Sequence, residues 1–493
     1  MQPHNNLGIG ALLDHYVKIH PNKIAIYYED TSITYKSFKQ SILNYQNHFK
    51  KMLDPNQTQK VALLLGNQPR FLEVYFAVVM LGWIAVPFDP KWTKSEADNI
   101  KNQVQPDLIV TNDAFTHIAS YQFEEAISVN TFKTISLTSE HLSIAHAGQA
   151  FYLGFTSGST GTPKGFLRHQ SSWIRSFEAA ESVFKYTQND IIMAPGPLNH
   201  SLSLFGATHA LHMGASFCLT TAFNAKQVFD IIQQHSVTVL YGVPTMFHSL
   251  ASLNKRYIQP ITCLSSGAKL DSQVITQLKT ILPQAFIYEY YGASELSFIT
   301  YATNEFSYDY PESVGVPFPS VQITIRNQLG NKLSSNQIGD IYVQSDFLFS
   351  QYWNNQALTN ETLTKHGACI GDIGFLDEYG ALTVIGRKNN MIITGGNNVY
   401  PEEIERVITK VRSIKEVVVI GVSDVHWGEK IIAFIKWKED HQPDLPAVKK
   451  VCKTHLSIYK RPRKFVSVID FPYTHTGKIS RQALKNNVKE LLT

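Results

Sequence analysis

Short apolar segments alternate with longer amphipathic segments along much of the chain, and turn residues separate them. One run is "KVALLLG", then "QPRFLEVYFAVVMLG", then "WIAVPFDP". Two further examples are "VTVLYGVP" followed by "TMFHSLASL", and "AFIYEYYG" leading into "ASELS". Alternation of strand and helix patterns predicts an α/β fold with largely buried strands. Polar residues follow these strands directly, in the place where parallel sheets bind ligands.

The most apolar part of the chain is "FLEVYFAVVMLGWIAVPFDP", residues 71–90. It contains Glu73 near its start, Gly82 inside and two prolines at its end. A membrane span needs about 20 predominantly apolar residues without such interruptions. The pattern therefore predicts a buried helix that runs into a buried strand, and no transmembrane segment.

Length and composition limit the classes of function. A chain of 493 residues exceeds the size that one hydrophobic core usually organises, so two or more domains are expected. The formal net charge is only +4 and no dense basic stripe is present, so a nucleic-acid partner is not expected. With 44% hydrophobic and 17% charged residues, the composition is that of a globular chain and excludes wholesale disorder.

Cysteine spacing and the N-terminal sequence both favour a cytoplasmic location. The cysteines are scattered singly, which predicts neither a metal knuckle nor a disulfide framework. The N-terminus "MQPHNNLGIGALLDHYVKIHPNK" lacks the charged segment and apolar segment of a secretory signal. The four cysteines are Cys218, Cys263, Cys369 and Cys452.

The pattern changes after Arg387. Here "NMIIT" predicts a strand, "GGNN" a turn, and Pro401 with two glutamates behind it the start of a helix. Ile404, Val407, Ile408 and Val411 have the spacing of one buried helical face. Strands at "EVVVIGV" and "KIIAFIKW" and a helix around "DLPAVKKVCKTHL" complete a compact unit. We therefore expect a large domain at 1–387 and a small one at 388–493.

The segment "FTSGSTGTPKG", residues 155–165, consists mostly of glycines, hydroxyl side chains and a lysine. Glycines allow successive backbone N–H groups to converge on an anion, and the hydroxyls and Lys164 add donors and charge, so the loop suits a polyphosphate. The Walker pattern fails, because four residues after Gly158 the chain continues with Pro163, Lys164 and Gly165. The kinase pattern G-x-G-x-x-G does not fit either. Considered alone, the loop is either a phosphate cradle or a plain flexible turn.

Five segments in order resemble the motifs of the adenylate-forming family, which includes acyl-CoA synthetases, luciferases and peptide-synthetase adenylation domains. They are "FTSGSTGTPKG", "YYGASE", "GDIGFLDEYGALTVIGRKNNMI", "GGNNVYPEEIE" and "PYTHTGKISR". The resemblance covers essentially the whole chain and is strongest to bacterial fatty acyl-CoA ligases. It implies a large N-terminal domain of sheets flanked by helices and a small mobile C-terminal α+β lid. It also implies ATP, Mg²⁺ and CoA as cofactor and co-substrates.

The resemblance implies roles for individual residues. Lys478 would bridge the acid and the α-phosphate, His200 would lie near the carboxylate tunnel, and Glu295 would hold Mg²⁺. Asp372 and Arg387 would bind the ribose, Tyr291 would stack on adenine, and Gly395 and Gly396 would line the CoA channel. Asn389 would be the hinge. The implied ATP-binding set is Thr156, Ser157, Gly158, Ser159, Thr160, Gly161, Lys164, Gly267, Ala268, Lys269, Tyr291, Gly292, Ser294, Asp372, Arg387 and Lys478.

For several of these residues a structural interpretation remains open. Asp372 and Arg387 would also suit a plain salt bridge, Tyr291 a core position, and His200 a structural hydrogen bond. Two positions depart from the family pattern. Ser294 replaces the usual Thr and keeps the hydroxyl, whereas Asn389 replaces the usual charged hinge residue.

The reaction implied is attack of a carboxylate on the α-phosphorus of ATP, release of pyrophosphate, and transfer of the acyl group to CoA. Amino-acid-activating relatives have an Asp that binds the α-ammonium, and the corresponding "LNHSLSLFG" has no acidic residue. An acid without an α-amine is therefore favoured. The apolar residues around the expected tunnel favour a fatty acid, although they also suit an ordinary core. They are Leu202, Leu204, Phe205, Gly206, Ala207, Leu240, Val243 and Phe298.

Other functions stay open at this point. Within the enzyme class, the alternatives are an aryl-CoA ligase and a stand-alone adenylation enzyme that loads a carrier protein. Outside it, the alternatives are a non-catalytic nucleotide-binding scaffold and a generic P-loop ATPase, which would release ADP and phosphate instead of AMP and pyrophosphate. The expected partners are a small carboxylic acid and CoA, and a homodimer is an open option.

Overall fold

The computed structural model describes residues 6–116, 126–133, 141–156, 163–424, 426–473 and 479–488. The described chain forms two compact units. The first comprises described residues of 6–156, 163–323 and 343–368, and the second those of 324–342 and 369–488. Arg387 lies inside the second unit, and a domain boundary at this residue stays a prediction.

Helices and strands alternate through most of the chain. The helices are α1 (Leu13–Ile19), α2 (Tyr35–Met52), α3 (Pro69–Met80), α4 (Lys94–Val104), α5 (Asp113–Thr116), α6 (Gln170–Phe184), α7 (Ser201–His212), α8 (Ala225–His235), α9 (Pro244–Ala251), α10 (Ser272–Ile281), α11 (Asn304–Asp309), α12 (Gln356–Thr362), α13 (Pro401–Ile408), α14 (Leu445–His455) and α15 (Arg481–Asn486). The strands of the first part are β1 (Ile24–Tyr28), β2 (Thr31–Thr34), β3 (Lys60–Leu64), β4 (Ile84–Pro87), β5 (Leu108–Thr111), β6 (Ile127–Ser128), β7 (Ala150–Thr156), β8 (Lys164–His169), β9 (Ile191–Met193), β10 (Ser216–Leu219), β11 (Val239–Gly242), β12 (Ile261–Ser266), β13 (Ala285–Ala293), β14 (Ser297–Thr303) and β15 (Val316–Pro317). Those that follow are β16 (Gln322–Arg326), β17 (Gly339–Gln344), β18 (Gln351–Tyr352), β19 (Leu363–Thr364), β20 (Gly367–Ala368), β21 (Asp372–Leu376), β22 (Leu382–Arg387), β23 (Ile392–Thr394), β24 (Asn397–Val399), β25 (Ile414–Asp424), β26 (Gly428–Trp437) and β27 (Lys464–Ser467).

Two large sheets form the first unit. Over the described residues, one has the strand order β15-β14-β13-β12-β11-β9-β10-β1-β2 and the other β18-β8-β7-β4-β3-β5-β6. Their central pairs are parallel, as in β9 with β10 and β11, and β3 with β4 and β5. Helices between these strands cover the sheets, so the predicted α/β class with buried strands is confirmed.

The apolar segment at 71–90 folds as predicted, into helix α3 and strand β4. Every residue from Phe71 to Met80 is buried, because the helix is apolar on all sides and is enclosed by protein. Within the described ranges, no helix has the length and the hydrophobicity needed to cross a membrane.

The segment after "AFIYEYYG" differs from the expected strand-to-helix connection. Strand β13 is followed by the antiparallel strand β14, with a bulge between Tyr291 and Gly292. A Cβ at Gly292 would lie 2.1 Å from the carbonyl oxygen of Ser297, so glycine is needed for the two strands to approach this closely. Ser297 has φ +56°, a left-handed conformation that allows the tight reversal. The prediction of a helix here was wrong, because this local backbone geometry produces a hairpin.

The second unit contains a sheet of β24, β23, β26 and β25, with β27 paired to β26. Helix α13 starts at Pro401 as predicted and buries Ile404, Val407 and Ile408, but it ends before Val411. These side chains pack with β25, β26 and α14 in the core of the unit. The predicted strands and the helix around "DLPAVKKVCKTHL" are all present.

Candidate active site

Glu295 lies in the short loop between β13 and β14, and its side chain is held by two hydroxyl groups. Thr156 at the end of β7 donates from Oγ1 to Glu295 Oε1 at 3.2 Å. The Tyr352 hydroxyl donates to the same oxygen, also at 3.2 Å. The backbone carbonyl of Glu295 accepts from Phe349 N at 2.7 Å. The structure thus brings together Thr156 and Glu295, two residues from separate predicted motifs.

Ser294 belongs to a second chain of hydroxyl contacts beside Glu295. Ser201, the first residue of α7, donates from Oγ to Ser294 Oγ at 3.1 Å. The buried Tyr152 hydroxyl lies 3.4 Å from Ser201 Oγ. Burial raises the pKa of Tyr152 to about 12, so its hydroxyl stays protonated at neutral pH. The hydroxyl that Ser294 keeps in place of the usual Thr is therefore engaged in this network.

The predicted phosphate loop connects two antiparallel strands. Thr156 on β7 pairs with Lys164 on β8, so both residues lie at the base of the loop. Ser157, Gly158, Ser159, Thr160 and Gly161 lie outside the described residues.

The residues predicted for the adenine end lie at the ends of β12 and β13. Gly267 has φ +94°, which only glycine adopts readily, and Ala268 beside it is exposed. Lys269 donates from Nζ to the Ser313 carbonyl at 2.7 Å and lies 3.6 Å from Glu289 Oε1. Tyr291 is half-buried near the end of β13.

His200 immediately precedes helix α7. Its Nε2 lies 3.5 Å from Asp89 Oδ2, and the Asp89 side chain is only 7% exposed. Asp89 also accepts from Lys91 N at 2.9 Å. This aspartate belongs to the "AVPFDP" segment, and sequence reasoning missed it. The signal that could have found it is an acidic side chain directly after the buried strand β4.

Tyr352 and Arg168 were also missed. Tyr352 lies 57 residues from Glu295 in sequence, and no spacing rule connects them. Arg168 is almost fully buried on β8, although arginine is rarely buried without partners. A single arginine in a strand pattern gives no sequence signal of what it contacts.

In the second unit, Asp372 and Arg387 face each other across β21 and β22. Arg387 donates from Nε to Asp372 Oδ1 at 2.8 Å. The Asp372 side chain is 4% exposed and that of Arg387 59% exposed. The salt bridge that the structural interpretation predicts is thus present.

The predicted hinge and glycine pair lie on the same unit. Asn389 is exposed in a single 3₁₀ turn, Lys388–Asn390, and Lys388 lies 3.4 Å from Asp340. Gly395 and Gly396 form the two-residue turn between β23 and β24, with φ of +56° and +75°. Positive φ at both positions is the geometry of a type I′ hairpin turn, which glycine permits. Lys478 lies outside the described residues.

The donor set at Glu295 fits a magnesium ion held mainly by substrate. In the described part of the chain, both side-chain hydrogen bonds to this carboxylate fall on Oε1. No group of three or more His, Cys, Asp or Glu side chains able to hold a metal occurs among the described residues. Mg²⁺ is commonly bound by one or two carboxylates together with phosphate oxygens, so one carboxylate is a sufficient protein ligand.

Sequence comparison places this chain among known enzymes. The profile described as "AMP-binding enzyme" matches residues 13–353, and that of "AMP-binding enzyme C-terminal domain" matches residues 403–478. The chain is 34% identical to the uncharacterized acyl-CoA ligase YhfT of Bacillus subtilis, covering 95% of this chain and 96% of that one. It is 31% identical to the putative long chain fatty acid-CoA ligase VraA of Staphylococcus epidermidis, covering 96% and 97%. It is 27% identical to the 2-succinylbenzoate–CoA ligase of Arabidopsis thaliana, covering 99% and 98%.

Solved structures show the same fold. The o-succinylbenzoate CoA synthetase MenE of Bacillus subtilis, in complex with its acyl-adenylate intermediate, superposes with a TM-score of 0.88 at 24% identity over 98% of both chains. MenE in complex with ATP and a magnesium ion gives a TM-score of 0.86 at 24% identity over 97% and 98%. The fold predicted from the motif resemblance is confirmed. The chain belongs to the AMP-binding enzyme family and, within it, to the acyl-CoA ligases, which are acid–thiol ligases.

Proposed function

We propose that the protein activates a fatty acid with ATP to an acyl-adenylate, releases pyrophosphate, and transfers the acyl group to CoA. The observation that supports this most directly is the contact between Thr156 and Glu295, at 3.2 Å. It joins the end of the predicted phosphate loop to the predicted metal carboxylate. A nucleoside triphosphate with a bound cation needs the phosphate-binding loop and the metal-binding carboxylate next to each other.

Each group of residues has a defined task in the proposed reaction. Lys164 and the hydroxyls of the loop hold the β- and γ-phosphates that leave as pyrophosphate. Glu295 holds Mg²⁺, which when bound neutralises phosphate charge. Tyr291 and the 267–269 segment hold adenine, and Asp372 and Arg387 hold the ribose. Lys478 stabilises the charge that develops as the carboxylate attacks, a contribution of about 3 to 4 kcal/mol for one such donor.

Holding two anionic reactants in line is the main chemical demand of this step. His200 stands at the start of α7 with Asp89 behind it, at 3.5 Å. A carboxylate partner of this kind orients an imidazole ring. We propose that the pair orients the incoming acid, with His200 at the entrance to the acyl site.

The apolar residues of the predicted acyl tunnel support an alkyl tail. Leu204, Ala207 and Leu240 are fully buried, and Phe205 and Phe298 are 8% and 3% exposed. At Gly206 a Cβ would lie 3.2 Å from Ala194 Cβ and 3.4 Å from the Tyr241 ring, so α7 packs closely against β11. The name of the 31% identical relative, a putative long chain fatty acid-CoA ligase, supports the same substrate class.

An aryl acid is the second candidate. The Arabidopsis relative is named a 2-succinylbenzoate–CoA ligase, and its alignment covers 99% of this chain. The Phe205 ring on α7 packs edge to face with Trp173 and tilted against Phe177, with ring centroids 5.3 and 5.0 Å apart. Such rings also suit an aryl substrate.

The deciding experiment is a panel of carboxylic acids with ATP and Mg²⁺, scored for pyrophosphate release with and without CoA. Saturated fatty acids of increasing length, benzoates, 2-succinylbenzoate and amino acids form the panel. We expect release with fatty acids and an acyl-CoA product only when CoA is present. Maximal release with aryl acids would favour the second candidate, and maximal release with amino acids would contradict both.

A carrier-protein acceptor is tested in the same assay. Acyl-adenylate that persists in the presence of CoA, but disappears when a phosphopantetheinyl carrier protein is added, would identify the protein as a stand-alone adenylation enzyme. We expect CoA to be the acceptor, because the full-length relatives are named CoA ligases.

A further inference from the structure

We propose that Arg168 is a positioning residue for adenylate formation, which clamps the two segments that hold Glu295. Arg168 lies on β8, four residues after Lys164, and is 1% exposed. The proposal rests on the proposed function only in its assignment of Glu295 to the metal. The contacts of the guanidinium are independent of that assignment.

Three of the contacts made by Arg168 go to the segments around Glu295. Its Nη1 donates to the Ser294 carbonyl at 2.6 Å, and its Nη2 donates to Ser297 Oγ at 2.9 Å. The same Nη2 donates to the Phe347 carbonyl. The remaining contact, from Nε to Ser172 Oγ at 3.2 Å, goes to helix α6. The guanidinium therefore holds the residue before Glu295 and the residue two positions after it.

The Phe347 contact extends the clamp to a second segment. Two residues later, Phe349 N donates to the Glu295 carbonyl at 2.7 Å, and Tyr352 donates to its side chain at 3.2 Å. By holding Phe347, Arg168 fixes the start of the segment that supplies both of these donors. The segments that position the backbone and the carboxylate of Glu295 are thus both hydrogen-bonded to the Arg168 guanidinium.

The clamp also stabilises a conformation that the chain does not adopt readily. Ser297 has φ +56°, and the left-handed region is unfavourable for a non-glycine residue. Its hydroxyl accepts from Arg168, which offsets part of this cost. The strained turn and the buried cation therefore support each other.

Burying a cation is unfavourable in free energy unless the groups around it interact with its charge. Removing a guanidinium from water is unfavourable, and apolar residues of similar volume often replace buried ion pairs without loss of stability. Burial lowers the pKa of Arg168 to about 9, while the nearby Tyr152 and Glu295 favour its charged form. At neutral pH the side chain is a cation close to the carboxylate that would bind Mg²⁺. A role in positioning the Glu295 carboxylate explains why a charged side chain occupies position 168. Packing alone would not require a charge there.

Arg168 also connects the Glu295 turn to the phosphate loop. Its strand, β8, pairs with β7, and Arg168 lies opposite Tyr152 in that pairing. Strand β7 ends at Thr156, which donates to Glu295. The loop that would hold phosphates and the turn that would hold the metal are therefore attached to one rigid hairpin, with Arg168 as the link.

The test uses Arg168→Lys and Arg168→Met, with Ser172→Ala as the matched control. Ser172→Ala removes the Arg168 contact that points away from the Glu295 turn, together with the hydrogen bond that the Ser172 hydroxyl donates to the His169 carbonyl. We expect Arg168→Lys to raise the Mg²⁺ concentration for half-maximal pyrophosphate release about tenfold, with the apparent KM for the acid within twofold of the wild type. Arg168→Met should raise it further, and Ser172→Ala should leave it unchanged.

A binding measurement separates positioning from a general loss of structure. Mn²⁺ is titrated by electron paramagnetic resonance in the presence of a non-hydrolysable ATP analogue, and AMP affinity is measured without metal. We expect weaker Mn²⁺ binding in both Arg168 variants and AMP affinity within twofold of the wild type. If Arg168→Met does not fold, Ser297→Ala, which removes the accepting hydroxyl, replaces it and should show the same effect at smaller size.

The outcomes distinguish the two proposals. Wild-type protein that binds no Mn²⁺ with the nucleotide analogue would contradict the assignment of Glu295 to the metal. Wild-type protein that binds Mn²⁺, together with folded Arg168 variants whose Mn²⁺ and Mg²⁺ responses stay within twofold, would contradict the role of Arg168 alone. Equal weakening of AMP and Mn²⁺ binding would show a structural role and would also overturn the proposal.

Discussion

Glu295 shows how one residue acquires a defined position from hydroxyl groups far away in sequence. Its Oε1 accepts from Thr156 and Tyr352, and both donors are neutral. Neutral donors orient the carboxylate without cancelling its charge, which a lysine or arginine in direct contact would do. Carboxylate oxygens are ligands that Mg²⁺ prefers, so an oriented Glu295 side chain suits a divalent cation.

We predict that Glu295→Gln lowers the rate of pyrophosphate release by about 10²- to 10³-fold, the range seen when one electrostatic group is removed from an active site. The amide preserves the shape and both hydroxyl contacts but lacks the charge for Mg²⁺. The measurement is pyrophosphate release over a range of Mg²⁺ concentrations. Glu178→Gln, at an exposed ion pair with Arg175, is the control. Less than a threefold effect of Glu295→Gln would contradict the metal assignment.

His212 provides a prediction on stability and pH. Its Nδ1 accepts from Gly10 N at 3.2 Å, which requires that nitrogen to be unprotonated. Burial, with a smaller effect of His209 and against the opposing effect of Glu181, lowers the pKa of His212 from 6.5 to about 4. Because the pKa is lower in the folded state, neutral His212 contributes its full stabilisation above pH 6.5. This contribution to the free energy of unfolding is lost as the pH falls toward 4.

We predict that the wild type loses up to about 3 kcal/mol of unfolding free energy more than His212→Asn between pH 6.5 and pH 4. The Asn side chain keeps an acceptor for Gly10 and does not titrate. Urea unfolding at several pH values measures the difference. His141→Asn, at a side chain that is 93% exposed, should behave as the wild type does. Parallel pH profiles for wild type and His212→Asn would contradict the prediction.

At the scale of elements, three parts of the second unit meet at one ion pair. Arg481 at the start of α15 contacts both oxygens of Glu405 on α13, at 2.6 and 2.7 Å. Glu405 Oε1 also accepts from Val419 N on β25 at 2.5 Å, and Arg481 donates to the Val419 carbonyl at 2.7 Å. Lys478 precedes Arg481 by three residues in sequence. The pair therefore fixes the chain just after the predicted catalytic lysine.

We predict that Arg481→Met destabilises the second unit by about 3 kcal/mol, because it leaves Glu405 largely buried without its cation. This value is at the lower end of the range for breaking a buried ion pair, because the Arg481 and Glu405 side chains are 23% and 15% exposed. Urea unfolding is the measurement, and the double variant Glu405→Leu with Arg481→Met should recover most of the loss. The exposed pair of Lys436 and Asp470 is the control, and Asp470→Asn should cost less than about 1 kcal/mol. A loss below 1 kcal/mol for Arg481→Met would contradict the prediction.

At the scale of the whole molecule, the proposed function separates two half-reactions. Adenylate formation would need Lys478, whereas transfer to the thiol would need the Gly395 and Gly396 turn. We propose that the segment 388–493 alternates between the two steps with Asn389 as the hinge. The exposed position of Asn389 in a short 3₁₀ turn supports this, because a hinge residue must absorb a change of backbone dihedral angles.

We predict that Lys478→Ala lowers acid-dependent pyrophosphate exchange at least 10²-fold, as expected for the loss of about 3 kcal/mol of charge stabilisation. Thioester formation from preformed acyl-adenylate and CoA should stay within threefold of the wild type. Lys415→Ala, at an exposed lysine 3.6 Å from Glu439, serves as the control. Loss of both half-reactions in Lys478→Ala would contradict the division of labour.

Secondary structure was largely predictable because apolar periodicity reports burial directly. Helix α3 and strand β4 follow from one apolar run, and α13 and α14 from proline, acidic and apolar positions. The hairpin of β13 and β14 was not predictable in this way. It depends on the close approach of Gly292 to Ser297 and on a positive φ at Ser297, which local propensity does not reveal.

The sequence by itself indicated the class of reaction through five ordered segments that resemble the motifs of the adenylate-forming family, because such motifs are short and contiguous. Only the tertiary structure decided which groups place the predicted carboxylate. Thr156 and Glu295 are 139 residues apart, and Arg168 and Phe347 are 179 apart. Hydrogen bonds over such separations form only when the sheets pair in one register, so Arg168, Tyr352 and Asp89 acquired their positions from the fold.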